Sequence, residues 1–176
     1  TGEAAVRHDP KDANLLFLWG SSYYDRQDFQ GARKAWDRLA AVSPNFPGFL
    51  GLYGTTLHVL GVLKDEVLAG YLARAKASAD DVIGNHLAGI GLYYQRRYAE
   101  VIPLLENVRR HNDEPRAGMY LAMSHFFTGD VDGAITMLDA LDPVAHREPD
   151  IYYCRSLVWR FYDLPRAIKE MEIFLD

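Results

Sequence analysis

A pattern that returns every 33 to 35 residues constrains this 176-residue chain more than any other feature. Its first copy reads Leu16, Trp19, Gly20 and Tyr23, then Ala32, Trp36 and Leu39, and it closes on Pro44. The position of Gly20 recurs as Gly54, Gly89, Ala122 and Arg155, that of Ala32 as Glu66, Val101, Ala134 and Ala167, and that of Trp36 as Gly70, Leu105, Leu138 and Met171. Apolar residues three, four and seven apart place one greasy face on each of two helices per unit. A unit of this length cannot bury its apolar face alone, so copies must stack on one another.

Helix starts and stops support the same reading. First helices are expected at 13–26, 47–60, 82–95, 116–128 and 149–161, and second helices at 29–42, 64–78, 98–111, 131–141 and 164–175. Turns are marked by Ser43-Pro44, Asn112-Asp113 before Pro115, Asp142-Pro143 and Glu148-Pro149. The acidic pairs Asp80-Asp81 and Asp113-Glu114 read as helix caps. No stretch alternates with period two, so no sheet is expected. Glu66 and Gly70 misfit the second unit, whose second helix is expected to slip and turn Val67, Ala69 and Leu72 inward. Arg155 at a small position leaves the tightness of the last hairpin open.

The spacing of Leu16, Trp19, Gly20, Tyr23, Ala32, Trp36, Leu39 and Pro44 resembles the tetratricopeptide repeat, and five repeats follow at about 13–46, 47–81, 82–114, 115–147 and 148–176. The resemblance implies an all-α, right-handed α-solenoid of stacked antiparallel helix hairpins, with small residues where the paired helices cross. Residues 1–12 read as the tail of a preceding second helix. The opening Thr1 reads as a trimmed or processed start, and Met171 and Phe174 as an apolar face without a polar capping helix, which another copy of the chain is free to cover.

The resemblance also puts 25 first-helix positions on the concave side. Eight are aromatic (Phe17, Tyr24, Tyr93, Tyr94, Phe126, Phe127, Tyr152 and Trp159) against about three expected from the 12% aromatic content of the chain, and only Asp25, Arg116 and Arg160 are charged. With His58, His86, Ile90, Met119 and Met123 these form the expected ligand-binding groove. Met adapts to varied shapes and Tyr joins an apolar body to a polar tip, so a hydrophobic peptide or helix of a partner protein is the expected ligand. A lipid, fatty acid or sterol carried in the same groove is the alternative. Gly48, Gly51 and Gly54 serve either helix packing or a notch for a ligand.

Other chemistries lack their residues. A net charge of −5 argues against nucleic acid. There is no phosphate-binding glycine loop, and Gly89-Ile90-Gly91 lacks the strand that a dinucleotide site needs. The single Cys154 reads as a core residue, and one thiol excludes a multi-cysteine zinc site. His58, His86 and His125 read as packing or groove residues before they read as metal ligands. No cofactor, metal or catalytic residue is therefore expected. The longest uncharged stretch, 41–63, carries Pro44, Pro47 and four glycines and reads as buried helix, not as a membrane span. Cytoplasm and bacterial envelope both fit.

Overall fold

The computed structural model describes residues 9–112 and 114–175, which form eleven helical segments and no strand among them. They are α1 (Ala13–Tyr24), α2 (Phe29–Val42), α3 (Phe49–Val59), α4 (Asp65–Ala77), α5 (Val82–Tyr94), α6 (Tyr98–His111), α7 (Pro115–Thr128), α8 (Val131–Ala140), α9 (Asp142–Ala145), α10 (Asp150–Trp159) and α11 (Leu164–Leu175). Ten of them fall within about two residues of the expected spans. The short α9 is additional: Asp142-Pro143 was expected as a plain turn and instead opens one helical turn. The expected helix tail at 1–12 and the cap at Asp113 fall largely outside the described residues.

Local chemistry explains the boundaries. The Asp12 carboxylate accepts from the N–H groups of Asn14 and Leu15, and Asp28, Asp81 and Asp130 accept from Gly31, Gly84 and Gly133. Each such cap satisfies helix-start N–H groups and is worth about 1 kcal/mol. Gly61 and Gly129 end the turns after α3 and α7 with φ of +65° and +96°, a backbone state that favours glycine.

Paired helices α1/α2, α5/α6, α7/α8 and α10/α11 pack closely, and α4 and α6 each pack on the next first helix, α5 and α7. Leu16, Trp36, Leu39, Phe49, Leu87, Leu105 and Leu138 are fully buried along one continuous core. The glycines at the crossings do not simply face the small residue opposite. A Cβ on Gly20 would stand 2.6 Å from the Trp36 ring, and one on Gly89 would stand 2.7 Å from Leu105 Cδ2. The missing side chain makes room for the large residue of the second helix.

Two expectations about register are corrected. In α4 the inward residues are Leu68 and Ala75, with Tyr71 and Leu72 half-buried, while Val67 and Ala69 are exposed. Leu68 fits against Gly91 of α5, where a Cβ would approach its Cδ1 to 2.7 Å, and that fit selects the face. Arg155 does not loosen the last hairpin. Its buried guanidinium donates from Nε and Nη2 to the Leu138 carbonyl and from Nη1 to Asp142 Oδ1 at 2.8 Å, and Glu170 lies 3.7 Å away. It thereby ties α10 to the carbonyl end of α8.

The second hairpin departs from the others. Packing between α3 and α4 is sparse; α3 packs instead on α2, α5 and α7, two repeats further along. The seam between α2 and α4 is correspondingly open on the outer face, lined by Asp37, Ala41, Tyr53, Tyr71 and Arg74. The misfits Glu66 and Gly70 lie on the exposed side of α4.

Candidate functional site

Two arrangements emerge around the expected groove positions, one aromatic and one charged. The aromatic one runs along the C-terminal ends of the first helices. His58 of α3 stacks on Tyr94 of α5 with ring centroids 3.3 Å apart, and the Tyr94 and Tyr120 hydroxyls share a hydrogen bond of 2.9 Å. Tyr93 meets Tyr94, Tyr98 and Tyr120 edge to face, Tyr98 stacks on Phe127 at 4.5 Å, and Phe126 meets Phe127. Edge-to-face and offset contacts suit the ring quadrupoles, so the seven rings support one another across α3, α5, α6 and α7. Burial pushes the Tyr93 and Tyr120 hydroxyls above the usual phenol range and pushes His58 below the usual imidazole value. Tyr94 and Phe127 remain 40% and 46% exposed.

Four expected groove residues present little or nothing to solvent. His86, Ile90, Met119 and Met123 are buried between helices. Phe17 packs on Trp36 and Phe46, Tyr24 meets Phe29, and Trp159 lies under the Arg166 guanidinium at 4.0 Å. Tyr152 is half-buried below Arg155. The concave positions thus divide: Tyr93, Tyr94, Phe126 and Phe127 with His58 form one strip, and the others belong to local clusters or the core.

The charged arrangement was not legible as a site in the sequence, where the carboxylates read as dispersed caps. Arg116, at the start of α7, lays its stem against Gly51 of α3, so that a Cβ there would stand 2.8 Å from Arg116 Cβ. Its Nη1 reaches Thr55 Oγ1 at 3.5 Å, and its guanidinium pairs with Glu148 at 2.9 Å and Asp150 at 3.6 Å. The notch at Gly51 is therefore filled by the chain itself, and Gly48 lies outside the helix as its N-cap, with φ +75°.

Two buried polar groups lie under α3. His86 is fully buried with no hydrogen bond of good geometry at either ring nitrogen, and the Leu50 backbone of α3 is the group near enough to favour its charged form; Gly54 of α3 covers it, with a Cβ there 3.3 Å from Nε2. Burial lowers its pKa to about 4. Glu114 is 2% exposed and its Oε2 has no partner. Burial raises its pKa to about 7, with Glu148 adding to the rise, while the N–H groups of Arg116 and Gly51 and the Arg116 charge oppose it.

His58, His86 and His125 go separate ways, His125 pairing with Asp130 at 2.8 Å, and no group of three or more His, Cys, Asp or Glu side chains among the described residues is arranged to hold a metal. Cys154 is buried, and burial pushes its thiol up to about 12, far from a reactive thiolate. No helix among the described residues is long and apolar enough to cross a membrane.

A family model for the tetratricopeptide repeat matches residues 3–48, 17–81 and 86–146. The chain belongs to the tetratricopeptide repeat family. No curated relative matches its sequence. Among solved structures it is similar to MamA from Desulfovibrio magneticus, at 17% identity over 93% of both chains with a TM-score of 0.59. It is also similar to YrrB, described as a tetratricopeptide protein with an unusual peptide-binding site, at 14% identity over 100% of this chain and 91% of the other, TM-score 0.59. PilW, a type IV pilus biogenesis factor, follows at 17% identity over 96% and 79%, TM-score 0.56. At these identities the likeness carries the fold. Tetratricopeptide repeat proteins are generally non-catalytic scaffolds for protein–protein interaction.

Proposed function

We propose that this chain is a non-catalytic docking module that takes an apolar peptide or an amphipathic helix of a partner protein along the strip of His58, Tyr93, Tyr94, Phe126 and Phe127. The observation that carries this reading is the unbroken ring-to-ring run across α3, α5, α6 and α7 that leaves Tyr94 and Phe127 open to solvent. Rigid aromatic rings supply contact area at small entropic cost, which is why they dominate binding hot spots. Tyrosine hydroxyls at the edge of the strip would meet the polar flank of such a segment. Peptide binding by the structural neighbour YrrB accords with this reading.

The test is capture from an extract of the native cell. A Tyr94→Ala, Phe127→Ala double variant is expected to lose the protein that the wild type retains, with an unchanged helical circular dichroism spectrum. Equal retention by both would refute the docking strip. The lipid-carrier alternative draws no support from the packing, since the concave aromatics engage one another; organic extraction of the same eluate tests it directly. Self-association through the exposed Leu164, Ile168 and Leu175 of α11 would show in the same material as a doubled mass by light scattering.

A further inference from the structure

We infer that α11 is a two-fold dimer seam, on which a second copy of this chain lays its own α11 antiparallel against Leu164, Ile168, Met171 and Leu175. The inference lies beyond the docking strip, which sits on other helices, and it gives the self-association named above an orientation and a register.

The helix has two apolar faces. One is used inside the repeat: Ala167 is buried against α10, and the Phe174 ring meets Tyr153. The other carries Leu164, Ile168 and Leu175 at 59%, 51% and 74% exposure, with the half-buried Met171 between them. Steps of four, three and four residues are the a/d spacing of a coiled-coil seam, and all four side chains leave the helix within about 60° of one another. Leu157 and Arg160 of α10 border a shallow groove beside Ile168 and Met171, where a laid-on helix can seat its side chains. In earlier repeats this face is covered. Ile102 of α6 and Ile135 of α8, the counterparts of Ile168, are half-buried against the core.

Two features select a second copy as the cover. The seam is its own complement: in one antiparallel register Leu164 meets Leu175 and Ile168 meets Met171, each twice, which is the isologous contact of two-fold symmetry. The charges agree with that register. Arg166 and Glu170 are tied inward, Arg166 to Asp139 at 2.8 Å and Glu170 to Arg155 at 3.7 Å. Lys169 and Glu172 are exposed along the solvent side of the seam, and neither has an ion-pair partner among the described residues. In the antiparallel register Lys169 of each copy stands within about 3 Å, along the axis, of Glu172 of the other. A parallel pairing would instead set these charges against Ala167 and Phe174, on the side that α10 occupies. The resulting dimer carries two aromatic strips, so a partner with two docking segments gains avidity.

Sedimentation equilibrium of the purified chain tests the seam without any partner. The wild type is expected to rise from 19.9 kDa toward twice that mass between about 1 and 200 μM, the range for a small interface. Ile168→Glu is expected to stay monomeric with an unchanged helical circular dichroism spectrum. Lys169→Glu should weaken the dimer about tenfold, and Lys169→Glu combined with Glu172→Lys should restore it. A wild type that stays monomeric overturns the inference, even where Ile168 proves necessary for capture of a different protein. A dimer that Ile168→Glu leaves intact also overturns it, as does a double exchange that fails to restore what the single one weakened. Should Ile168→Glu fail to fold, the charge variants at the exposed Lys169 and Glu172 decide alone. Failure here leaves the aromatic strip standing, and failure of the capture experiment leaves the seam standing.

Discussion

Glu114→Gln isolates the cost of the buried carboxyl under α3. A carboxyl whose pKa rises from the ordinary 4.5 to about 7 is neutral in the fold at pH 5 and ionised in the unfolded chain, and it costs about 3 kcal/mol once ionised in both. Its contribution is thus complete below pH 4.5 and lost as the pH rises to 7. His86 has the opposite sense. Its pKa falls from 6.5 to about 4, so the fold holds it neutral where the unfolded chain binds a proton, and acid costs stability between pH 6.5 and 4. From pH 4.5 to 6.5 the two slopes, each about 1.4 kcal/mol per pH unit, oppose one another. The wild-type stability profile is therefore expected to be nearly flat there. Glutamine keeps the shape of the side chain and an acceptor for the Arg116 and Gly51 N–H groups, and it does not ionise. In urea unfolding the variant should match the wild type below pH 4.5, gain about 1.4 kcal/mol per pH unit between pH 4.5 and 7, and stand about 3 kcal/mol ahead at pH 8. Equal stability of the two proteins at pH 8 would show that Glu114 is solvated and that α3 does not seal it.

Two further perturbations probe the framework. Gly20→Ala drives a methyl group toward the buried Trp36 ring, and despite a gain of about 1 kcal/mol in helix propensity it should destabilise by about 1–3 kcal/mol in denaturant unfolding; a stabilised variant would mean the ring has room to move. Arg155→Leu leaves the buried Leu138 carbonyl and the Asp142 carboxylate without their donor and should cost about 2–3 kcal/mol, read as a lowered melting temperature. No change there would assign Arg155 a packing role only.

Much of this architecture is written in short-range chemistry. Helix spans and aspartate caps depend on residues within a few turns of each other, so Asp81 announces a helix start without knowledge of the fold, and the 33 to 35-residue period shows when the sequence is compared with itself. The aromatic excess is equally visible, because first-helix positions of a tetratricopeptide repeat lie on one wall. What the residues cannot reveal locally is which of those positions meet. Tyr93, Tyr94, Phe126 and Phe127 gather into a strip, while His86, Ile90, Met119 and Met123, drawn from the same wall, are sealed. For His86 and Ile90 the difference arises because α3 packs on α5 with Gly54 laid directly over both side chains, and Arg116 of α7 fits the space at Gly51. Arg116 meets Gly51 from two repeats away, and Glu114, a cap by its neighbours, is buried by the same approach. Local sequence rules fix helices and their faces; the distance between non-adjacent helices, and with it the charge and burial of the groups between them, follows only from how all the interfaces close together.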